Sequence, residues 1–246
     1  MGNLRKDHVA ERFVIVNELK TKPSKSKKNP FKPGNEKMTN PSVLSLVLKD
    51  GMLQRLQDED DTDSVKNWAV RVVPAINPAV NIEAENTYSD HPLYSEPSYG
   101  YHYNIIASPD ETKSLATIDV EQWGYVLSVV QDRLRWLYTQ KGVAYVAIYG
   151  DSGKDSGTKI QHPHLHMMSF STIPPKIEEE ANSSHRILNE KGVYPMSQLV
   201  ASESGGPRQI LQTEGFIALS PWAPSHPYEF WICPKKHATS FSKISQ

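Results

Sequence analysis

Residues 160–170 read Ile-Gln-His-Pro-His-Leu-His-Met-Met-Ser-Phe and place His162, His164 and His166 at every second position. The chain holds nine histidines, so a third of them fall within this stretch. In a strand, alternate side chains share a face, and i to i+2 spans about 6.5–7 Å. The first and third imidazoles would then stand about 13 Å apart, too far for one ion whose zinc–nitrogen bonds are about 2 Å. Two neighbours could chelate a metal with ligands from other strands, but the remaining histidines are isolated and the single cysteine, Cys233, lies far along the chain. A second reading makes one histidine a nucleophile. Neutral imidazole attacks phosphorus near pH 7 when a hydrogen bond pins one ring nitrogen and aims the other. The product is a phosphoramidate that a second acceptor resolves, and flanking histidines would bind phosphate oxygens or protonate the leaving group. The third reading is a strand whose histidines are merely hydrogen-bonded or solvated.

A glycine loop just upstream favours phosphorus chemistry. Gly150, Gly153 and Gly157 precede the first histidine by 5–12 residues, and such loops present backbone N–H groups to phosphate. Pro163 predicts an edge strand or a bulge, where a reactive residue can be aimed outward.

The elements that must hold these residues are legible in outline. Arg12–Val16 reads as a first strand, followed by an irregular basic stretch, Lys20–Lys37, rich in Lys, Pro and Ser. Asp58–Asp63 reads as a solvated acidic turn. Trp68–Val80 has strand composition up to Pro74, and Tyr99–Pro109 is another strand closed by turn residues. Trp123, Leu127, Val130, Leu134 and Leu137 recur at helical spacing, with Asp119 suited to cap the start and Gly142 to stop the helix. Val143–Tyr149 is a short buried strand. The glycine loop joining it to the histidine strand is too short for a parallel crossover, so the two form a hairpin and the fold class is α+β. Past Phe170 the chain is polar and turn-rich, reading as a linker with a short helix, and Gly215–Phe241 reads as strand, aromatic-proline turn and strand.

Composition narrows the function classes. A formal charge of −1 and a pI near 6.8 give no global attraction to nucleic acid or anionic membrane. One cysteine excludes an intrachain disulfide and a CxxC zinc knuckle. No apolar run reaches the roughly 18 residues of a membrane span, and the charged N-terminus lacks a signal region, so a cytoplasmic location is expected.

Gly-Asp-Ser-Gly-Lys-Asp-Ser-Gly-Thr-Lys-Ile-Gln-His-Pro-His-Leu-His resembles the active-site segment of the galactose-1-phosphate uridylyltransferase branch of the histidine-triad superfamily. Other stretches resemble that branch in the same order: residues 12–23, the Asn-Pro-Phe-Lys-Pro-Gly-Asn-Glu of 29–36, 70–80, 100–111 and 221–241. The resemblance implies a histidine-triad-like antiparallel sheet with a packed helix, a full first repeat over 1–175 and an abbreviated second repeat over 176–246. It implies a nucleotidyltransferase with His164 as the residue that becomes nucleotidylated and His162 and His166 assisting. The phosphates would meet Gly153, Gly157, Lys159, Asp151 and Lys22, and the nucleoside would meet Arg71 and Asn77. The expected partners are a nucleotide sugar or dinucleotide and a sugar phosphate, without nucleic acid or membrane, in an assembly that the family makes a homodimer.

Departures from the pattern carry information too. Asn29, Lys32 and Glu111 stand where the branch has zinc ligands, leaving only His162 of that set, so no metal and no cofactor is expected. His166 stands where transferases carry glutamine and hydrolases carry histidine, which raises a nucleotide hydrolase or dinucleoside polyphosphate phosphorylase as the alternative. The altered second repeat and lost zinc ligands raise a non-catalytic nucleotide-binding or assembly protein.

Overall fold

The computed structural model describes the chain apart from residues 1, 11, 17–27, 61–62, 85–92 and 245–246. It divides into two compact units, Met1–Pro174 and Pro175–Gln246. Both are built on antiparallel sheets, so the α+β reading holds.

In the first unit, β1 (Asn3–Lys6) pairs with β2 (Phe13–Val16). The main sheet opens with a hairpin of β3 (Leu44–Lys49) and β4 (Met52–Leu56). Asp50 and Gly51, at φ 52° and 75°, supply the two left-handed residues that a tight Asp-Gly turn requires. β5 (Trp68–Pro74) follows, then β6 (Ser95–Pro97), which joins β1 in the small sheet, and β7 (His102–Ile106). After α1 (Val120–Leu137) come β8 (Tyr145–Tyr149) and β9 (His164–Phe170). The main sheet runs β4-β3-β5-β7-β9-β8, antiparallel throughout.

Period-2 alternation divides the sheet into two faces. Leu46, Val70, Val72, Tyr103, Ile105, Leu165 and Met167 pack under Val126, Val129, Val130, Leu134 and Leu137 of α1. Asp119 caps that helix by accepting from Gln122 N–H at 2.8 Å. The Gln122 side chain donates to the carbonyls of Ala69 and Ala107, tying the helix start to β5 and β7. Deleting a side chain such as Leu137, fully buried here, costs about 2–5 kcal/mol. The opposite face carries Phe31, Val47, Trp68, Val73 and Ile106. His164 and His166 stand on that second face, away from the helix.

Three expectations change. β9 is an interior strand, between β7 and β8, and Pro163 sits just before it, where the missing N–H removes no ladder bond. Asp58 is buried, not solvated: its carboxylate accepts from Ser42 N–H and Val65 N–H and pairs with Arg71 at 2.7 Å. Gly142 is left-handed at φ 81°, yet the helix has already ended at Leu137 and the glycine serves the turn into β8.

The second unit has α2 (Pro175–Lys191), α3 (Pro195–Glu203), and a sheet β10 (Gln209–Gln212), β11 (Phe216–Leu219) and β12 (Trp231–Pro234). The stretch read as a linker with a short helix holds a 17-residue helix with no buried residue. The core here is small: Val200, Ile217, Leu219 and Cys233.

Candidate active site

His164 is 4% exposed and begins β9. Its Nδ1 lies 2.7 Å from the carbonyl oxygen of His162. A carbonyl only accepts, so the proton resides on Nδ1 and the lone pair on Nε2. Among the described residues no side chain or backbone group bonds that Nε2. Phe31 meets the ring edge-on at 5.0 Å between centroids, which fixes its plane. Burial, the largest influence, holds the His164 pKa below the ordinary histidine range, so the ring is neutral at pH 7. A pinned, neutral imidazole with a free Nε2 lone pair is a nucleophile in waiting.

His162 lies outside β9 and does not share a strand face with the other two. Its Nε2 donates to the Ser108 carbonyl at 2.6 Å, and its Nδ1 accepts from the Asn29 side-chain amide at 3.1 Å. Both ring nitrogens are committed and the residue is 3% exposed, so its ring meets no phosphate. It acts on the site through its backbone carbonyl. The segment 29–36 builds the support. Asn29 Oδ1 accepts from Phe31 N–H, and Glu36 accepts from Gly34 N–H and Trp68 Nε1–H and pairs with Lys66. These contacts outweigh the cost of burying the Glu36 carboxylate and bring its pKa to about 2.

The zinc site that the resemblance implies can be tested against these groups. Asn29, Lys32, Glu111 and His162 do come together: the Lys32 ammonium pairs with Glu111, and the Asn29 amide bridges Glu111 and His162. An ammonium, an amide and a histidine with no free nitrogen do not suit zinc, which takes thiolate, imidazole or carboxylate donors. Among the described residues, no group of three or more His, Cys, Asp or Glu side chains is placed to hold a metal ion.

His166 is half-buried, with ring centroids 4.9 Å from His164 and 5.0 Å from Tyr149, which stacks on it. Its Nδ1 lies 3.2 Å from Nε2 of His102 on the neighbouring strand. His102 escaped the sequence reading because nothing in a single chain tells which strand will lie beside the histidine strand. The glycine loop rises from the β8–β9 connection. Gly153 and Gly157 have φ 99° and 79°, which a side chain would strain, and one 3-10 turn lies between them. Asp151 and Lys159 are exposed in this loop, and the Asp151 charge is felt by both His164 and His166. Asn77 is exposed at the bend after β5.

Two expected contacts remain. Lys22 lies outside the described residues. Arg71 is 1% exposed, and its guanidinium donates to Asp58 and to Thr39 Oγ1 at 2.8 Å. These two bonds hold it inside the unit.

No known protein-family profile matches the chain. It is 25% identical to an ADP-glucose phosphorylase of Arabidopsis thaliana over 246 residues, which is 98% of this chain and 68% of that protein. It is 29% identical to a galactose-1-phosphate uridylyltransferase of Thermotoga maritima over 155 residues, 63% of this chain and 48% of that one. The chain thus spans about two thirds of the first relative and about half of the second. A solved uridylyltransferase structure superposes with a TM-score of 0.82 at 20% identity, covering 100% of this chain and 69% of the other, and so shares the fold.

Proposed function

We propose, from the premise that the chain is galactose-1-phosphate uridylyltransferase-like in sequence and fold, that it is a nucleotidyltransferase working through a covalent nucleotidyl-His164. The single observation that carries this is the hydrogen bond from His164 Nδ1 to the His162 carbonyl. The Nε2 lone pair attacks the α-phosphorus of a nucleotide sugar. The N–P bond forms as the bond from phosphorus to the bridging oxygen breaks, and a sugar 1-phosphate leaves with that electron pair. A phosphate oxygen of the acceptor then attacks the same phosphorus and the P–N pair returns to Nε2. His162 holds the nucleophile through its carbonyl, while Asn77 and the loop with Gly153, Gly157 and Lys159 are the proposed contacts for nucleoside and phosphates. The acceptor is phosphate-bearing, as the names of both relatives imply for them: a phosphorylase and a uridylyltransferase.

The reaction uses no metal at the Asn29–Lys32–Glu111–His162 cluster, because that donor set suits an internal ion pair and not zinc. A homodimer is the proposed assembly.

The test is incubation of the full chain with ADP-glucose or UDP-glucose labelled in the α-phosphate. Wild type should acquire an acid-labile label that inorganic phosphate or hexose 1-phosphate discharges, before and after treatment with a chelator. Label retained by His164→Ala would overturn the assignment of the nucleophile.

A further inference from the structure

We propose that His102 is a positioning residue that fixes His166 as a neutral hydrogen-bond donor, so that His166 holds a phosphate oxygen of the substrate and neither gives nor takes a proton. This rests on nucleotidyl transfer through His164.

A backbone amide sets the order. Ala79 N–H donates to His102 Nδ1 at 3.1 Å. A backbone N–H can only donate, so His102 Nδ1 bears a lone pair and the ring proton sits on Nε2. That Nε2–H faces His166 Nδ1 at 3.2 Å, which makes Nδ1 the acceptor. The proton of a neutral His166 therefore resides on Nε2. Charging His166 would add a hydrogen to Nδ1, and two donors would meet across one hydrogen bond. Either His102 releases Ala79 or His166 stays neutral.

The surroundings favour the second outcome. The groups facing His166 are His102 and the uncharged Asn104 on β7, Tyr149 at the end of β8, Asp151 in the loop, and His164 on its own strand. Burial, then the repulsion of a charged His164, lower the His166 pKa, and Asp151 opposes them. Burial and His166 push His102 down to about 4.

The consequence is a choice of acceptor. A phosphate acceptor, with a second pKa of about 6, is already an oxyanion at neutral pH, so its attack on nucleotidyl-His164 forms O–P and breaks P–N with no proton to move. Water must lose a proton as it attacks, and His166 has no lone pair to receive it: Nε2 carries hydrogen and Nδ1 is taken. A neutral N–H donor is also what glutamine offers. His166 with His102 behind it thus does the work of an amide, and its presence does not make the site hydrolytic.

Variants of the full chain test this. Discharge of labelled wild type should favour phosphate over water, and its rate of discharge by water should stay constant from pH 8 to pH 6. His166→Gln should keep turnover within about tenfold, whereas His166→Ala, which has no donor, should lose about 10²–10³-fold. His102→Ala frees the His166 Nδ1 lone pair to take a proton from water, so the rate of discharge by water should exceed wild type several-fold at pH 8 and fall back on going to pH 6, where that nitrogen becomes protonated. His102→Gln, which can donate to His166 through its amide, should restore the flat profile. An activity-independent readout accompanies these: the His166 ring resonances in wild type should titrate below the ordinary histidine value, rise toward it in His102→Ala and fall again in His102→Gln. A His166 that titrates alike in wild type and His102→Ala, or a His166→Gln as inactive as His166→Ala, would overturn the proposal. Absence of any label, with the titration shift intact, would overturn the transfer reading and leave the His102–His166 pairing standing.

Discussion

His164 and His166 are the same side chain on the same sheet face, with ring centroids 4.9 Å apart, yet their pinning has opposite polarity. His164 is held by an acceptor, the His162 carbonyl, which keeps the ring proton on Nδ1 and leaves a lone pair on Nε2. His166 is held by a donor, His102 Nε2–H, itself oriented by the Ala79 amide, which keeps the lone pair on Nδ1 and leaves an N–H on Nε2. In the proposed reaction one ring attacks and the other holds. The residue type offers both chemistries, and a backbone group one or two contacts away selects between them.

Removing the attacking ring should have the largest effect. His164→Ala should abolish the covalent label and lower turnover at least about 10³-fold, or about 4 kcal/mol of barrier, measured by steady-state kinetics. The holding pair should reveal itself next, in stability against pH. The folded-state pKa of His102, about 4, lies below the unfolded value of about 6.5, so the unfolded chain binds the extra proton between these values. Stability from this group is full above pH 6.5 and declines as pH falls toward 4, by on the order of 3 kcal/mol. Denaturant melts at pH 7 and pH 4.5 check this, and His102→Gln should reduce the difference but leave the part due to His162, His164 and His166, whose pKa values burial also lowers.

Smaller changes probe the supports. Asn29→Ala leaves the buried His162 Nδ1 without its donor and should cost about 1–3 kcal/mol of stability with a milder loss of turnover. The smallest effect belongs to Tyr149→Leu, which removes the ring stacked on His166. It should cost about 0.5–1.5 kcal/mol and leave the pH profile in place.

Much of this arrangement could be read from the residues before any coordinates. The strand with the histidines, the helix with its Asp119 cap and the antiparallel hairpin around the glycine loop follow from periodicity and turn chemistry, which are local. The β3–β4 hairpin has a local signal as well, since Asp50-Gly51 between apolar runs is a strong turn signal. Pairings far apart in sequence were not legible. Asp58 looks solvated in an acidic run until Arg71, brought beside it by the fold, proves to be its buried partner. Arg71 was expected at the nucleoside from the resemblance alone, and nothing local in the sequence shows the buried carboxylate it pairs with. His102 is the sharpest case, because its meaning depends on β7 lying beside β9 and on the amide of Ala79. The departures at Asn29, Lys32 and Glu111 carried the expectation of a lost zinc site in the sequence, while the Lys32–Glu111 ion pair beside His162 needed the fold.

The central claim is the opposite polarity of the two rings, and nitrogen-15 NMR of the histidine side chains tests it most directly. Long-range proton–nitrogen spectra of the full chain at pH 7.5, assigned with His164→Gln and His166→Gln, report which ring nitrogen bears hydrogen. The account predicts His164 protonated on Nδ1 and His166 protonated on Nε2, both neutral. The same tautomer on both rings, or a His166 protonated on both nitrogens, would contradict it.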